Sequence, residues 1–262
     1  MNLRLKFLCQ QVLTSVGILG LLLSILNSAL TNSWELLGWA FLYSNIVVSL
    51  LCAQIILHRY FSHRSFTTNK ITDIILTVLS ILPGQGSPIA WASSHRHHHK
   101  HSDSKLDNHS PKESYFLAAG GWLLMGYSWV VDIKKLRTIP TDLMRNKLIL
   151  TLDKYYYYLW MIIIVCSLLI NYTFALYFVI APIGWALLLA SLVTLGCHIK
   201  FFGNYRSFET NDNSHNNMFI QCIVLGDALH NNHHNNPTLA NLKLKKYEFD
   251  PAGIIIKLLR RD

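Results

Sequence analysis

Long apolar stretches alternate with polar, histidine-rich stretches along this 262-residue chain. None of the 23 Lys and Arg residues falls between Phe7 and His58, and none falls between Tyr155 and Ile199. Each of these two stretches is long enough for two membrane crossings of about 20 residues. The pattern therefore predicts four transmembrane helices.

Each apolar stretch contains a polar break, the first at residues 27–35 and the second at residues 171–173. All basic residues then lie on one side of the membrane, which the positive-inside rule assigns to the cytoplasm. We predict an all-α integral membrane protein with both termini in the cytoplasm and a single domain over residues 1–262. It is built from two helical hairpins, with transmembrane helices near 7–29, 36–57, 156–173 and 177–198 and cytoplasmic segments 58–155 and 199–262.

Two further apolar stretches, Ile71–Trp91 and Tyr115–Val131, are predicted not to cross the membrane. The first contains Asp73 and is interrupted by Pro and Gly at residues 83–86. The second joins two basic segments, so a crossing would place one of them outside. We expect both stretches to form helices that lie at the membrane interface or pack beneath the cytoplasmic part.

Composition supports a membrane protein with one substantial polar side. Hydrophobic residues make up 52% of the chain, above the roughly 45–50% of soluble domains. Charged residues make up 14%, well below the usual fraction of about 25%. The net charge of +9 lies, in this topology, on the cytoplasmic side.

Histidine supplies the candidate chemistry, because imidazole is the commonest protein ligand for transition metals. The 13 His residues concentrate in HRYFSH at 58–63, HRHHHKH at 95–101 and HNNHH at 230–234. The second and third clusters carry His at positions i, i+3 and i+4, which share one face of a helix. His58 and His63 are five residues apart and converge only if the helix ends or distorts between them. His198, at the cytoplasmic end of the last predicted helix, completes a set of nine candidate ligands: His58, His63, His95, His98, His99, His198, His230, His233 and His234.

Nine imidazoles are enough for two metal ions with four or five nitrogen ligands each. Zinc sites of about four ligands are the alternative, but iron suits oxygen activation. The five Cys residues are scattered singly, which argues against iron–sulfur clusters and thiolate-ligated haem. His97 and His101 point away from the ligand face, and with His109 and His215 we expect them to be solvated or to support the ligands from outside.

Four segments together resemble the membrane fatty acyl desaturases, specifically the bacterial branch of the Δ9 acyl-CoA desaturase family. They are HRYFSHRSF at 58–66, Trp91 through HRHHHKHSD, NYRSFETNDNS at 204–214 and HNNHH at 230–234. The resemblance runs from about Trp39 to the end of the chain. It implies a four-helix membrane stem under a cytoplasmic cap that holds two iron ions, and its ligand positions coincide with the nine histidines chosen above.

The activity that the resemblance implies is insertion of a cis double bond into a saturated acyl chain with O₂ and two electrons. An unactivated methylene has no acidic proton, so an oxidised metal centre has to remove the hydrogen. An apolar tunnel near the membrane would bind the chain by burial, at roughly 0.8 kcal/mol per CH₂. Candidate wall residues, which could equally pack against lipid or neighbouring helices, are Tyr43, Val47, Leu50, Trp91 and Leu188.

The chain departs from the family pattern at several positions. Thr194 stands where the family often has an Asn that holds a metal-bound water, and Asp227 stands where Glu is usual. Ala119 replaces a His that commonly precedes the Gly-Trp pair. Ser93 and Ser94 replace the Arg-Asp that the family has before the second histidine cluster. Met125, Gly126 and Tyr127 stand at basic positions that grip coenzyme A in animal relatives. Lys134, Lys135 and Arg137 are either phosphate contacts or a solvated basic face near anionic lipid.

Nothing in the sequence resembles a nicotinamide-, flavin- or nucleic-acid-binding motif, so the electrons must come from a partner. A ferredoxin, a rubredoxin or a cytochrome b5-type protein would be attracted by the basic cytoplasmic side. Two alternatives share some of these features: a diiron lipid hydroxylase and a membrane metal transporter. A transporter would need ligands along its spans, whereas the middles of these spans carry no His, Asp or Glu. The sequence does not determine the acyl chain length, the double-bond position or whether the acyl carrier is coenzyme A or a lipid. The expected location is a bacterial inner membrane.

Overall fold

A computed structural model gives the structure of residues 3–107, 109–125 and 138–261. Within these residues the chain is mostly helical, as predicted, with a short antiparallel ladder between β1 (Asn204–Tyr205) and β2 (Asn216–Asn217). Several positions considered as carrier contacts lie outside the described residues, namely Gly126, Tyr127, Lys134, Lys135, Arg137 and the side chain of Met125.

Helices account for the rest of the regular structure. In chain order they are α1 (Leu3–Thr31), α2 (Trp34–Ser62), α3 (Lys70–Leu79), α4 (Pro88–His101), α5 (Trp122–Met125), α6 (Lys147–Ile170), α7 (Tyr172–His198), α8 (Met218–Val224), α9 (His230–Asn235) and α10 (Pro251–Leu259). In the described part of the chain, α1, α2, α6 and α7 are long and apolar enough to cross a membrane. The four predicted spans are therefore present.

The third long helix begins nine residues before the predicted start at 156. Asn146 caps it, because its side-chain oxygen accepts a hydrogen bond from the backbone N–H of Leu148 at 2.9 Å. Charged residues in the first turns led the sequence pattern to exclude this part from the span. These turns are helical because Ile149 and Leu152 are buried against the protein, so α6 extends beyond its apolar section.

The stretch predicted as an interfacial helix at 71–91 consists of two helices. The outer face of α3 exposes several apolar side chains, including Ile71, which is 72% exposed. A bend at residues 80–87 separates α3 from α4, which starts at Pro88 with Ser87 as its N-cap. The exposed apolar face of α3 fits a helix lying at the membrane surface, while α4 carries the second histidine cluster inward.

The first and last long helices cross at two glycines. A Cβ atom on Gly17 would lie 2.6 Å from Cγ2 of Ile183, and one on Gly184 would overlap the backbone carbonyl of Gly17. Small residues let helix backbones approach closely inside a membrane, where burial of apolar surface gives little drive for association. The position of α7, and of His198 at its end, therefore depends on this crossing.

We expect Gly184→Leu to destabilise the protein by about 1–3 kcal/mol, because the obstacle is backbone that cannot rotate away. Gly38→Leu is the matched control, since a Cβ at Gly38 meets nothing within 4 Å. Thermal unfolding of the detergent-purified variants measures the difference. Equal melting temperatures for the two variants would show that the close approach of α1 and α7 does not contribute to the stability of the protein.

Candidate metal centre

The C-terminal part of α2 is wound wider than an α-helix, and this brings His58 and His63 together. Residues Ser44–Ser62 form a π-helix, in which the hydrogen bond runs from residue i+5 to residue i. The N–H of His63 donates to the carbonyl of His58 at 3.1 Å. Residues five apart then lie almost above one another, and the two ring centroids are 4.9 Å apart. The expected helix distortion is thus a wider winding.

The nine predicted histidines lie in two groups, each with its ring nitrogens within 4.8 Å of one another. The first group is His58, His63, His95, His99 and His233. The second group is His98, His198, His230 and His234. The structure therefore brings together every histidine chosen from the spacing.

Each histidine triplet is divided between the two groups by helix geometry. Around the axis of α4, His99 is rotated by about 40° from His95 in one direction, and His98 is rotated by about 60° in the opposite direction. The pair that is close in angle enters the first group, and His98 enters the second. On α9 the arrangement is reversed, with His230 and His234 in the second group and His233 in the first. Two helices can in this way supply both groups.

In the second group, the Nε2 atoms of His198 and His230 face one another, and the ring protons are on the Nδ1 atoms. Nδ1 of His198 lies 3.0 Å from the carboxylate of Asp103, which can only accept, so the imidazole proton is on Nδ1. Nδ1 of His230 likewise donates to the backbone carbonyl of Asp227 at 3.2 Å. The Nε2 atoms of these two rings, each carrying a lone pair, are 2.9 Å apart. No hydrogen bond can join them, so the arrangement calls for a cation between them.

The nitrogen separations also indicate which coordination geometry fits. In the first group the Nε2 atoms of His58 and His233 are 2.9 Å apart, as are those of His233 and His99. With metal–nitrogen bonds of about 2.1 Å, ligands at right angles are about 3.0 Å apart and tetrahedral ligands about 3.4 Å. The donor set therefore fits two metal ions of five or six ligands better than it fits tetrahedral zinc.

A layer of aspartates outside the imidazoles fixes which nitrogen carries the proton. Four carboxylates contact Nδ1 of four different histidines at 2.7–3.0 Å: Asp227 on His58, Asp107 on His98, Asp103 on His198 and Asp212 on His234. Such partners orient metal-binding imidazoles and raise their basicity. The sequence singled out only Asp227; the signal for the others was their position close to the histidine motifs, in HSDSKLD and ETNDN.

Electrostatics keep this layer ionised. Burial by itself would raise the pKa of Asp107, but the imidazoles of His98 and His109 hold it below its usual value. The pKa of Asp212 is lowered in the same way, against its burial, by the hydrogen bond from His234. The layer is therefore negatively charged at neutral pH and can partly balance bound cations.

Six of the nine histidines are held neutral, which metal binding requires. His98 differs, because burial would lower its pKa but the carboxylate of Asp107 raises it. Burial and the neighbouring imidazoles lower the pKa values of His63, His95, His99, His230 and His233 well below their usual value. Burial also lowers the pKa of His234 to about 4, although the hydrogen bond to Asp212 opposes this. Without protons to displace, these nitrogens are available as ligands at pH 7.

A buried ion-pair network anchors the histidine-containing segment 58–63 to the C-terminal part of the chain. Arg59 is fully buried and donates to both carboxylate oxygens of Asp250, at 2.7 and 3.1 Å. It also lies 3.5 Å from the carboxylate of Asp227, which accepts from His58. Removal of any one of these three residues would leave an uncompensated buried charge. The network therefore stabilises one arrangement of α2 relative to the turn before α9 and the segment before α10.

Two adjoining cavities of about 90 Å³ each lie beside the first group, on the membrane side. Both are lined by Gln85, Trp91, His95, Ala190 and Thr194, and together we call them the Trp91 cavity. The ring of Trp91 stacks on His95 with centroids 4.8 Å apart. The hydroxyl of Thr194 donates to the carbonyl of Ala190 at 3.0 Å, which leaves its oxygen free to accept a hydrogen bond inside the cavity.

The other candidate wall residues are not among the described lining residues of this cavity. Leu50 and Val47 belong to a hydrophobic cluster around α2. Tyr43 packs edge-on against Phe178. Leu188 is 49% exposed and lies about 100° around α7 from Leu187, which does line the cavity. On α7 the described lining residues of the cavity include Leu187 and Ala190, which are neighbours of Leu188.

Four histidines stay outside the two groups. Nε2 of His97 lies 2.8 Å from the carbonyl of Leu106, and its ring packs on that of His101. His109 stacks on His98 with centroids 4.3 Å apart, and together with Asp107 these residues form a third cluster that could hold a metal. His109 and His215 each line a cavity next to the centre.

Comparison with known proteins gives a family for this arrangement. A family model described as fatty acid desaturase matches residues 34–248. An sn-1 stearoyl-lipid 9-desaturase of Anabaena variabilis is 30% identical over 78% of this chain and 73% of its own length. A probable chloroplastic lipid desaturase of Arabidopsis thaliana is 29% identical, and an icosanoyl-CoA 5-desaturase of Limnanthes douglasii is 28% identical, each over 87% of this chain. The chain spans 62% and 64% of the length of these two relatives.

We expect Asp212→Asn to weaken metal binding in the second group by about 10–100-fold. One carboxylate oxygen of Asp212 accepts three hydrogen bonds, from Thr210 and twice from Ser214. The amide NH₂ of Asn would therefore face Nδ1 of His234 and force its proton onto Nε2, where a metal should bind.

Metal content per chain, measured by mass spectrometry after dialysis against a chelator, checks this expectation. Asp142→Asn is the control, because Asp142 pairs with Arg64 and Arg96 and contacts neither histidine group. Equal metal retention by both variants would show that Asp212 does not govern the tautomer of His234.

Proposed function

The chain belongs to the fatty acid desaturase family, and from this we propose that it inserts a cis double bond into a saturated fatty acyl chain. The observation that carries the proposal is the pair of facing histidine groups next to the Trp91 cavity. The candidate metal centre lies next to a cavity whose wall combines apolar side chains, such as Leu187 and Leu189, with polar ones. Both lie at the same end of four helices that could cross a membrane.

We propose that the two groups hold two iron ions. The right-angle nitrogen separations and the neutral imidazoles support a metal with five or six ligands, and members of this family generally depend on iron. When bound, the irons would supply the oxidising power that removes hydrogen from an unactivated methylene. The balance is R–CH₂–CH₂–R′ + O₂ + 2 e⁻ + 2 H⁺ → R–CH=CH–R′ + 2 H₂O, so an outside donor must provide two electrons.

The residues of the chain would position the substrate and the ligands. Trp91 and Ala190 would contact the acyl chain, and Thr194 would accept a hydrogen bond from a water at the metal. The aspartate layer would keep each Nε2 aimed at its ion. Because the cavity wall contacts hydrocarbon, its shape rather than specific hydrogen bonds would select which methylenes reach the centre.

The proposed double-bond position is Δ9, on an acyl-lipid or an acyl-CoA. The Anabaena relative, a stearoyl-lipid 9-desaturase, supports Δ9. The Limnanthes relative acts at position 5 of an acyl-CoA, so within this family the carrier and the position vary. Since the histidines would be the same for each regioselectivity, the depth of the Trp91 cavity has to set the position.

We propose a bacterial inner membrane with both termini and the histidine groups on the cytoplasmic side. His58 and His198 lie at the same end of α2 and α7. The α1–α2 and α6–α7 turns at the opposite end contain no Lys or Arg, which supports their placement outside. Cytoplasmic electron carriers would then have direct access to the centre.

Expression of the chain in a host that lacks its own oxygen-dependent desaturase tests the reaction. We expect new monounsaturated fatty acids that disappear in the absence of oxygen and with His98→Ala, which removes a ligand of the second group. Gas chromatography–mass spectrometry of derivatised fatty acids measures both their amount and the bond position. Hydroxylated products in place of alkenes would favour a lipid hydroxylase, and identical profiles for wild type and variant would refute the proposal.

Filling the Trp91 cavity should block the substrate without disturbing the metal. We expect Ala190→Phe to lower the desaturation rate by about 10–100-fold, because a displaced chain no longer presents its methylenes to the centre. Leu188→Phe, two residues away on the exposed side of α7, should leave the rate nearly unchanged. Product formation is compared at equal metal content, and equal rates for the two variants would place the acyl chain elsewhere.

A further inference from the structure

Another cavity, separate from the Trp91 cavity, reaches the second histidine group. It has a volume of about 350 Å³ and contacts His198. None of its described lining residues also lines the Trp91 cavity. We call it the Lys200 pocket, after one of its lining residues. Its separation from the Trp91 cavity indicates a role other than holding the hydrocarbon chain.

The Lys200 pocket is basic. Lys112, Lys200 and Arg206 line it, and the described lining contains no carboxylate. Arg206 is fixed in place, since it donates to the backbone carbonyls of Asp212 and Thr210 at 2.9 and 3.1 Å. Lys112 and Lys200 are exposed and able to meet an incoming surface. A partner that fits here carries negative charge.

Aromatic side chains are exposed around the same opening. Tyr115, in the pocket wall, is 66% exposed. Phe201 and Phe202 directly follow Lys200, and Phe202 is 76% exposed with its ring 5.0 Å from that of Phe219. Aromatic and cationic residues together are typical of protein docking surfaces. This combination favours a protein partner over a small anion, which would need only the charges.

Short hydrogen-bonded links lead from the Lys200 pocket to two members of the second group. The backbone N–H of Asn213, in the pocket wall, donates to Asp103 at 2.7 Å, and the same carboxylate oxygen accepts from His198 at 3.0 Å. Arg206 is joined in a similar way through Asp212 to His234, whose Nδ1 lies 2.7 Å from the carboxylate. The pocket is thus connected to the centre without passing through the substrate space.

We propose that the Lys200 pocket and its aromatic rim dock an acidic one-electron carrier protein, and that electrons pass through His198 and His234 to the centre. This inference rests on the proposed desaturase function, which requires two electrons from outside. At each docking the carrier is oxidised by one electron and the centre is reduced by one. Two dockings supply the two electrons of the balanced reaction, and the two protons come from solvent.

The test uses the full-length protein in lipid nanodiscs and an acidic [2Fe–2S] ferredoxin as the probe. We expect the double variant Lys112→Glu/Lys200→Glu to bind the ferredoxin at least about tenfold more weakly than wild type at low ionic strength. The difference should largely disappear at about 0.5 M salt, where charges are screened within a few ångströms. Titration calorimetry measures the affinity, and stopped-flow absorbance follows oxidation of the reduced ferredoxin.

The matched control is Lys147→Glu/Lys257→Glu, which makes the same charge change at exposed lysines of α6 and α10. Equal weakening by both pairs would show that only net charge matters and would overturn the docking site. Unchanged ferredoxin affinity in the Lys112/Lys200 variant would also overturn it. So would a loss of acyl-CoA binding with ferredoxin binding intact, which would assign the pocket to a phosphate-bearing carrier.

Metal content and product formation with a chemical reductant separate this inference from the proposed function. We expect the Lys112/Lys200 variant to retain wild-type metal content and wild-type turnover when dithionite replaces the ferredoxin. If the wild-type protein forms no desaturated product with either reductant, the desaturase proposal fails, whatever the binding result. The alternative outcome is that the wild-type protein forms desaturated product with dithionite while the Lys112/Lys200 variant accepts electrons from ferredoxin as fast as wild type. This result would refute the docking site and leave the desaturase proposal intact.

Discussion

Imidazole nitrogens that face one another with unshared lone pairs are the constraint on which this structure depends. His198 and His230 each give their only ring proton to an acceptor on the outer side, and their inner nitrogens are 2.9 Å apart. Such a contact is repulsive without a cation between the two atoms. The fold must therefore hold the rings in place from behind, and the residues packed around the two groups serve that purpose.

The support comes from three separate physical sources. Buried aspartates fix the tautomers and bring negative charge close to the imidazoles. The fully buried Arg59 bridges Asp250 and Asp227 and so connects the first cluster to the C-terminal segment. The crossing of α1 and α7 at Gly17 and Gly184 sets the position of the helix that ends at His198. The aspartates act on histidines of α2, α4, α7 and α9, while Arg59 supports α2 and the glycine crossing supports α7.

The centre has two chemically different sides. Trp91 and residues of α7 such as Ala186 and Ala190 line one cavity together with polar side chains, whereas Lys112, Lys200 and Arg206 line a separate, basic cavity. A reaction between a hydrocarbon, oxygen and an external electron donor needs such a division. In the proposed reaction, the hydrocarbon would approach the centre from one side and the electron donor from the other.

The sequence by itself determined the four spanning helices and the identity of the nine histidines. The helices follow from the absence of Lys and Arg along them, and six of the histidines follow from the i, i+3, i+4 spacing in two clusters. His58, His63 and His198 follow from their position at the ends of predicted spans. The start of α6 was missed because charged residues in its first turns looked unsuited to a span, although burial of Ile149 and Leu152 against the protein makes them helical.

Only the tertiary structure decided how the histidines divide into groups and what supports them. The split of each triplet depends on the angle at which α4 and α9 meet, and the approach of His58 to His63 depends on the π-helical winding of α2. Asp103 reaches His198 across 95 positions of the chain, and Asp227 reaches His58 across 169. Contacts between residues so far apart in sequence leave no periodic signal, because packing rather than spacing brings them together.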